Sequence, residues 1–280
     1  MYNKSISTIA SWLQDSVALL KGIGISSARL DAEIILSHTI RRPRTYLHAH
    51  GDGVLEPRQK EIADARLNMR LDFTPIAYII GHKEFYGRQF KATTATLIPR
   101  PESETIIEML TATLGNTTPL LPDSKRLVDV GTGTGCLGIT AKLEHPELDV
   151  TLIDISQHAL TVATKNAQIL NADVTVLRAD LLRGYALPID IIIANLPYVD
   201  REWEVSRETH AEPDVALYAS NHGLSLIFVL ISQADQLLNH GGLLYLEADP
   251  RQHHDITKYA RQYSLTHIQT NGFIVAFSKQ

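Results

Sequence analysis

Hydrophobic positions along this chain fall into two regimes. From residue 7 to residue 72 they recur at helical spacing. Ile9, Trp12, Leu13, Val17 and Leu20 share one face of a helix predicted over Ser7–Lys21 and ended by Gly22 and Gly24. A second helix carries Ala28, Leu30, Ala32, Ile34, Ile35 and Leu36, with Ser26 or Ser27 as its cap and Pro43 as its stop. A short helix around Tyr46 and a more polar one over Glu56–Leu71, with Pro57 in its first turn, complete the module. From Thr74 to Ile98, Gly81 and Gly87 punctuate the β-prone Tyr78, Phe85, Tyr86 and Phe90, which predicts a linking hairpin.

After a helix over Thr105–Leu114 and a loop over Leu114–Lys125, the rhythm changes at Arg126. Short apolar runs at Leu127–Val130, Thr151–Ile153, Val174–Leu177, Ile189–Ala194 and Leu243–Leu246 read as strands. Helices over Cys136–Leu143, Ala159–Leu170 and Leu224–Leu238 alternate with them. Leu265–Thr270 and Phe273–Phe277 flank Asn271-Gly272 as an antiparallel hairpin. Alternating strands and helices predict an α/β fold whose mostly parallel sheet is covered on both faces. The expected domains are a helical recognition domain over 1–73, a linking hairpin over 74–98 and an α/β domain over 99–280.

Composition narrows the class. The 280 residues suffice for a large domain with a small companion. The single cysteine, Cys136, excludes an intrachain disulfide and fits a reducing compartment. Met1–Ile9 shows no signal-peptide core, and no apolar stretch approaches the roughly 20 residues that span a bilayer. The expectation is a soluble, cytoplasmic, monomeric protein with no membrane partner. The net charge of −5 divides into +2 over residues 1–75 and −7 over the rest. That balance argues against direct nucleic-acid binding, which needs a clustered basic face. Arg41-Arg42-Pro43-Arg44 reads as a solvated loop, and His38, His48 and His50 are too scattered to predict a metal site.

The chemistry concentrates around Ile193–Asp200, which reads I-A-N-L-P-Y-V-D. A buried strand ending in Asn-x-Pro-Tyr delivers polar groups to the carboxyl edge of the sheet, where open α/β folds bind ligands. Asn195 offers a side-chain oxygen and Leu196 a backbone carbonyl; Pro197 restricts the turn and Tyr198 supplies a flat wall. Together they could grip a planar NH2 group. Taken alone, the same residues also suit an ordinary strand end with a turn proline. Upstream, Gly131-Thr132-Gly133-Thr134-Gly135 is a glycine turn opening a βαβ unit, where backbone can approach a ligand closely. Cys136 stands where a dinucleotide fingerprint needs glycine, and no Gly-Lys-Ser/Thr is present to cradle phosphate. Asp154, 19 residues after Gly135, suits ribose hydroxyls at the end of the second strand. Asp180 ends the third strand, where it could face an adenine amino group. Strand-end capping is the plainer reading of both acids. By composition alone, Leu97–Glu104 is a stiff polar linker.

Taken together, D-V-G-T-G-T-G at 129–135, the acid at 154 and N-L-P-Y at 195–198 resemble a class I S-adenosylmethionine-dependent methyltransferase acting on nitrogen. More narrowly, the chain resembles the HemK/PrmC family, the protein-(glutamine-N5) methyltransferases of peptide-chain release factors. A-R-L-D-A-E-I-I-L at 28–36, P-I-A-Y-I-I-G-x-x-x-F at 75–85, L-I-P-R-P-E-S-E at 97–104 and E-P-D-V-A-L at 212–217 carry that likeness along nearly the whole chain. The L-I-P-R-P-E segment is the most family-specific and replaces the linker reading. The resemblance implies a Rossmann-like sheet with S-adenosylmethionine as cofactor. It implies that Gly131, Thr132, Gly133, Thr134 and Gly135 contact its methionine part, Asp154 the ribose, and Asp180 with Leu181 the adenine. Asn195 and the Leu196 carbonyl would accept from the substrate amide nitrogen, with Pro197 and Tyr198 shaping the pocket; Asn195 and Tyr198 would be the catalytic residues, and Asn195 would also touch the cofactor. The implied substrate is the glutamine of a Gly-Gly-Gln loop in a class I release factor, docked with help from the helical module.

Three departures from the family pattern are visible. Leu196 stands where proline is usual, His222 where an Asp is usual, and no glycine accompanies Asp249. N-L-P-Y is also carried by ribosomal-RNA adenine-N6 dimethyltransferases, which is one competing reading. A non-catalytic, cofactor-binding scaffold for release factors is another.

Overall fold

The computed structural model describes residues 7–116 and 125–280. The middle of the loop expected over Leu114–Lys125 lies outside the described residues. The chain divides into two compact units, residues 1–81 with 206–211, and residues 82–205 with 212–280.

The first unit is helical: α1 Ile9–Gly22, α2 Ala28–Ile40, α3 Arg44–Ala49, α4 Pro57–Leu71 and α5 Ile76–Ile80. Thr8 starts α1 with a capping box, accepting from the Ser11 amide while Ser11 Oγ accepts from the Thr8 amide. Ser27 precedes α2, but its hydroxyl donates to Asp31 at 2.9 Å instead of accepting from the helix backbone. Helix α2 ends at Ile40 on a left-handed Arg41, ahead of the expected stop at Pro43. Leu20, Ala28, Ala32, Ile35, Leu36 and Ala63 are fully buried in one cluster. Arg44 of the basic loop pairs with Glu33 at 2.8 Å, so that loop is partly consumed within the unit. The most buried charge is Arg70, 1% exposed, which donates to Asp31 at 2.7 Å and to Glu208. Residues 74–81 are not part of a hairpin, as the glycine punctuation suggested. Pro75 sets the entry of α5 and left-handed Gly81 ends it.

The second unit begins with a tight hairpin, β1 His82–Phe85 and β2 Arg88–Lys91, so the expected hairpin is confined to ten residues. Its turn residues Tyr86 and Gly87 both have positive φ, at 49° and 73°, which matches the twist of a two-residue turn. Helix α6 (Glu104–Asn116) then leads to a sheet interleaved with α7 Cys136–Glu144, α8 Gln157–Leu170, α9 Asp214–Leu217, α10 Ser225–Leu237 and α11 His253–Ala260. Its strands are β3 Arg126–Val130, β4 Asp149–Asp154, β5 Thr175–Arg178, β6 Ile189–Ala194, β7 Leu238–Glu247, β8 Leu265–Asn271 and β9 Ile274–Lys279. The spatial order is β5-β4-β3-β6-β7-β9-β8. The first five are parallel; β9 runs antiparallel to β7, and β8 to β9. The order reverses at β3, because β4 and β5 lie on one side and β6 and β7 on the other.

Both faces of the central strands are buried, while β5 and β8 at the edges are largely exposed. Val128, Val130, Ile192, Ala194, Leu244 and Leu246 pack into one core with residues of α10 and α11. The alternate positions Leu127, Ile191, Ile193 and Tyr245 enter a second core with residues of α6, α7 and α8. A register shift between Ile189 and Ile191 places Ile189 in the first core. Strand β7 starts earlier than expected and runs through Gly241-Gly242. Among the described residues no helix is long and apolar enough to cross a membrane.

Within the helical unit the Arg70 cluster sets a stability test. Arg70→Met would leave Asp31 buried without its cation, and breaking such a pair costs about 3 kcal/mol or more. Denaturant unfolding of the variant against wild type should show a loss of that size in the transition of this unit.

Candidate active site

The reversal of strand order places the carboxyl ends of β3, β4 and β6 around one cavity, where open α/β sheets bind ligands. Of the residues singled out from sequence, Gly131, Thr132, Gly133, Thr134, Asp154, Asp180, Leu181, Asn195, Leu196 and Pro197 line it. Gly135 and Tyr198 are not part of this lining.

The glycine turn is held by its neighbour strand. Gly131 and Thr132 amides both donate to the Ile153 carbonyl, at 2.8 and 2.9 Å. Gly133 donates to Asp154 Oδ2 at 2.9 Å, and Ser156 donates to Asp154 Oδ1 at 2.8 Å. A Cβ on Gly133 would meet nothing nearer than 4.0 Å, so that face is open for a ligand to approach. On Gly131 it would stand 2.8 Å from Leu196 Cδ2. The leucine that replaces the usual proline therefore packs against the glycine turn and ties the two motifs together. Gly135 is needed for other reasons: its φ is 82°, and a Cβ there would lie 2.7 Å from Ile139 Cδ1. Beneath the turn, Asp129 accepts from Thr132 Oγ1 at 2.6 Å and from Gly138 N at 2.9 Å. Burial pushes its carboxyl up to about 6.

Asp154 is half-buried, and burial holds its carboxyl above the ordinary range despite the amides that donate to it. Asp180 lies beyond the end of β5, which stops at Arg178, so it belongs to a loop and is exposed. Leu181 beside it is buried and left-handed, with φ 51°. Ile155, 53% exposed and also in the lining, offers an apolar surface to the cavity. Cys136 lines the cavity as well. Burial pushes its thiol up to about 12, which keeps it protonated and unsuited to act as a nucleophile.

The opposite wall comes from the segment that composition alone would have made a linker. Leu97, Ile98, Pro99, Arg100 and Ser103 all line the cavity. Glu212, 5% exposed, accepts from the Ile98 amide at 3.0 Å and from Arg100 Nη2 at 2.5 Å. L-I-P-R-P-E-S-E and E-P-D-V-A-L are thus two halves of one structure. Asn195 Nδ2 donates to Ser103 Oγ at 3.0 Å, and Ser103 donates to buried Glu247. Tyr198 turns its hydroxyl to the same carboxylate at 3.1 Å. Its phenol is raised, first by burial and then by that neighbour. Gln252 Nε2 bridges the carbonyls of Tyr198 and His222, each at 2.8 Å, and His222 pairs with Asp200 at 2.9 Å. The departures after Leu217 are therefore built into the support of the strand-end loop. Sequence reasoning assigned no role to Ser103 or Glu247. Among the described residues no cluster of His, Cys, Asp or Glu could hold a metal ion.

Residues 11–81 match the PrmC N-terminal domain family, and residues 103–212 match the methyltransferase small domain family. A release factor glutamine methyltransferase of Escherichia coli is 34% identical over 240 residues, covering 84% of each chain. Its counterpart in Leptospira interrogans is 35% identical over 252 residues, covering 87% of this chain and 86% of the relative. The chain belongs to the release factor glutamine methyltransferase family. A solved methyltransferase from Pyrococcus furiosus superposes with a TM-score of 0.52 at 18% identity, covering 77% of this chain and 97% of that one. That likeness supports the class I sheet.

In this release factor glutamine methyltransferase family member, Glu212 is the post on which the 97–104 wall hangs. Glu212→Ala should leave the Ile98 amide and Arg100 without their acceptor, at a cost of about 1–3 kcal/mol. Faster amide exchange over residues 97–104, with β3 and β6 protection unchanged, is the expected readout.

Proposed function

We propose that this protein transfers a methyl group from S-adenosylmethionine to the side-chain amide nitrogen, N5, of the glutamine in the Gly-Gly-Gln loop of class I release factors. The modification would tune translation termination. The observation that carries the reading is that Asn195 shares one cavity with Gly133 and Asp154. An amide-gripping strand end thus faces a nucleoside-type site.

The residues fit the cofactor. Open Gly133 and the turn Gly131–Gly135, at the start of α7, suit its amino-acid part. Asp154 suits the ribose hydroxyls, and Ile155, Asp180 and Leu181 suit the adenine. When bound, the group supplies an electrophilic methyl on a sulfonium. The protein's own work is placement. An amide nitrogen shares its lone pair with its carbonyl and is a poor nucleophile. Asn195 Oδ1 and the Leu196 carbonyl can accept its two N–H bonds, which orients the nitrogen and favours the positive charge that develops on it. Pro197 and the Tyr198 backbone, held by Gln252, keep this acceptor pair in place. The helical unit is the part assigned to docking the release factor, supported by its match to the PrmC N-terminal domain family.

The direct test is mass spectrometry of the Gly-Gly-Gln peptide after incubation of a release factor with isotope-labelled S-adenosylmethionine. Ribosomal RNA serves as the competing substrate. A labelled methyl on the glutamine supports the assignment; label in RNA adenine, or none, overturns it. Asn195→Ala should lower transfer by at least about a hundredfold, as loss of one preorganised group at a reacting centre does. Affinity for S-adenosylmethionine, measured by calorimetry, should stay within a few-fold of wild type. The raised Asp154 carboxyl gives a pH test. The carboxylate accepts from ribose hydroxyls and the acid form loses one acceptor, so affinity falls as pH drops through the raised pKa. The decline should begin at higher pH than for an ordinary exposed aspartate, and Asp154→Asn should weaken binding and flatten it.

A further inference from the structure

Glu247 ends β7 at 1% exposure, and among the described residues no cation stands within ion-pair distance of it. Burying a carboxylate this way is costly unless hydrogen bonds compensate it. It receives two, from Ser103 Oγ at 2.5 Å and from Tyr198 Oη at 3.1 Å. Ser103 is itself 2% exposed and meets Asn195 Nδ2 at 3.0 Å. Arg100, on the same segment as Ser103, is committed to Glu212.

These contacts have a direction. Burial holds the Glu247 carboxyl above its ordinary range, and the Ser103 hydroxyl donates its one proton to Glu247 Oε2. The serine oxygen is then left as an acceptor. It can be matched only by a donor, so the Asn195 side chain must present its NH2 to Ser103 and its Oδ1 elsewhere. An asparagine amide is otherwise free to flip by 180°, with nearly the same shape in both orientations. We propose that Glu247, acting through Ser103, sets the orientation of the Asn195 amide so that its oxygen faces the substrate nitrogen. This rests on the reading of Asn195 as an acceptor for a substrate amide. Glu247 and Ser103 are then positioning residues for the methyl transfer. Without the carboxylate, the Ser103 proton is free to turn to Asn195. The amide then flips and presents a donor to a nitrogen that needs an acceptor.

Glu247→Met separates this role from a structural one. Methionine keeps the volume and removes the buried carboxyl, leaving the Ser103 and Tyr198 hydroxyls without that acceptor. The proposal expects kcat for glutamine methylation to fall by about tenfold or more, since small misplacements at a reacting centre have effects of that size. Cofactor Kd and release-factor KM should stay within about threefold. Ser103→Ala breaks the same chain at its middle link and stands in if the methionine variant folds poorly. The two losses should be less than additive in the double variant, because both act through Asn195. The orientation itself is read by the side-chain amide resonances of Asn195, assigned by their loss in Asn195→Ala. They should shift in both single variants of the full-length protein.

Unchanged kcat together with unmoved Asn195 resonances would overturn the relay, as would fully additive losses. A wild-type protein that methylates no glutamine would overturn the functional reading instead. The resonances would then still decide whether Glu247 orients Asn195.

Discussion

β3, β4 and β6 are buried on both faces along most of their length, and much of the site follows from that constraint. When every apolar side chain along β3, β4 and β6 is taken up by one core or the other, a ligand can reach their polar groups only at the strand ends. The reversal of strand order at β3 then brings three such ends to one place. The glycine turn, Asp154 and Asn195 lie 131 to 195 in sequence yet face one cavity for this reason. The packing supplies rigidity, and the strand ends supply chemistry.

Burial alone would not shape the wall opposite. That wall is organised by two buried acids on elements distant in sequence. Glu212 holds the Ile98 amide and Arg100, and Glu247 holds Ser103 and Tyr198. A buried carboxylate tolerates few arrangements of its neighbours, because each unmet hydrogen bond is costly in a dry interior. Such groups therefore define loops more sharply than apolar contacts do. The stiffness contributed by Pro99 and Pro101 limits the backbone, and the acids choose among the shapes that remain.

The departures from the family pattern are accommodated by specific contacts. Leu196 fills the space above Gly131 while its carbonyl stays available. Gly223 lies so close under Tyr198 that a Cβ would stand 1.9 Å from the Tyr198 carbonyl oxygen. His222 and Gln252 take up the surrounding polar groups. The strand-end loop is thus buttressed by residues that differ in type from those expected.

Periodicity along the chain was enough to locate the helices of the first unit, the strands and their alternation with helices, and the positions of Asn195, Gly131–Gly135 and Asp154. Those features depend on neighbours a few residues apart, where the spacing of apolar groups and the conformations open to glycine and proline act directly. It misplaced Tyr78, whose β-prone neighbours sit in α5, because Pro75 and Gly81 bound a helical turn as readily as they flank a strand. It put Asp180 at the end of a strand, although that residue sits in a loop beyond Arg178, and it gave no sign that the Tyr198 hydroxyl meets Glu247. Above all it could not find the chain from Asn195 through Ser103 to Glu247, whose links span 92 and 144 residues. Hydrogen bonds between such distant groups leave no period in a sequence. They come into being only when folding closes the loops between them and removes the water that would otherwise satisfy each group separately.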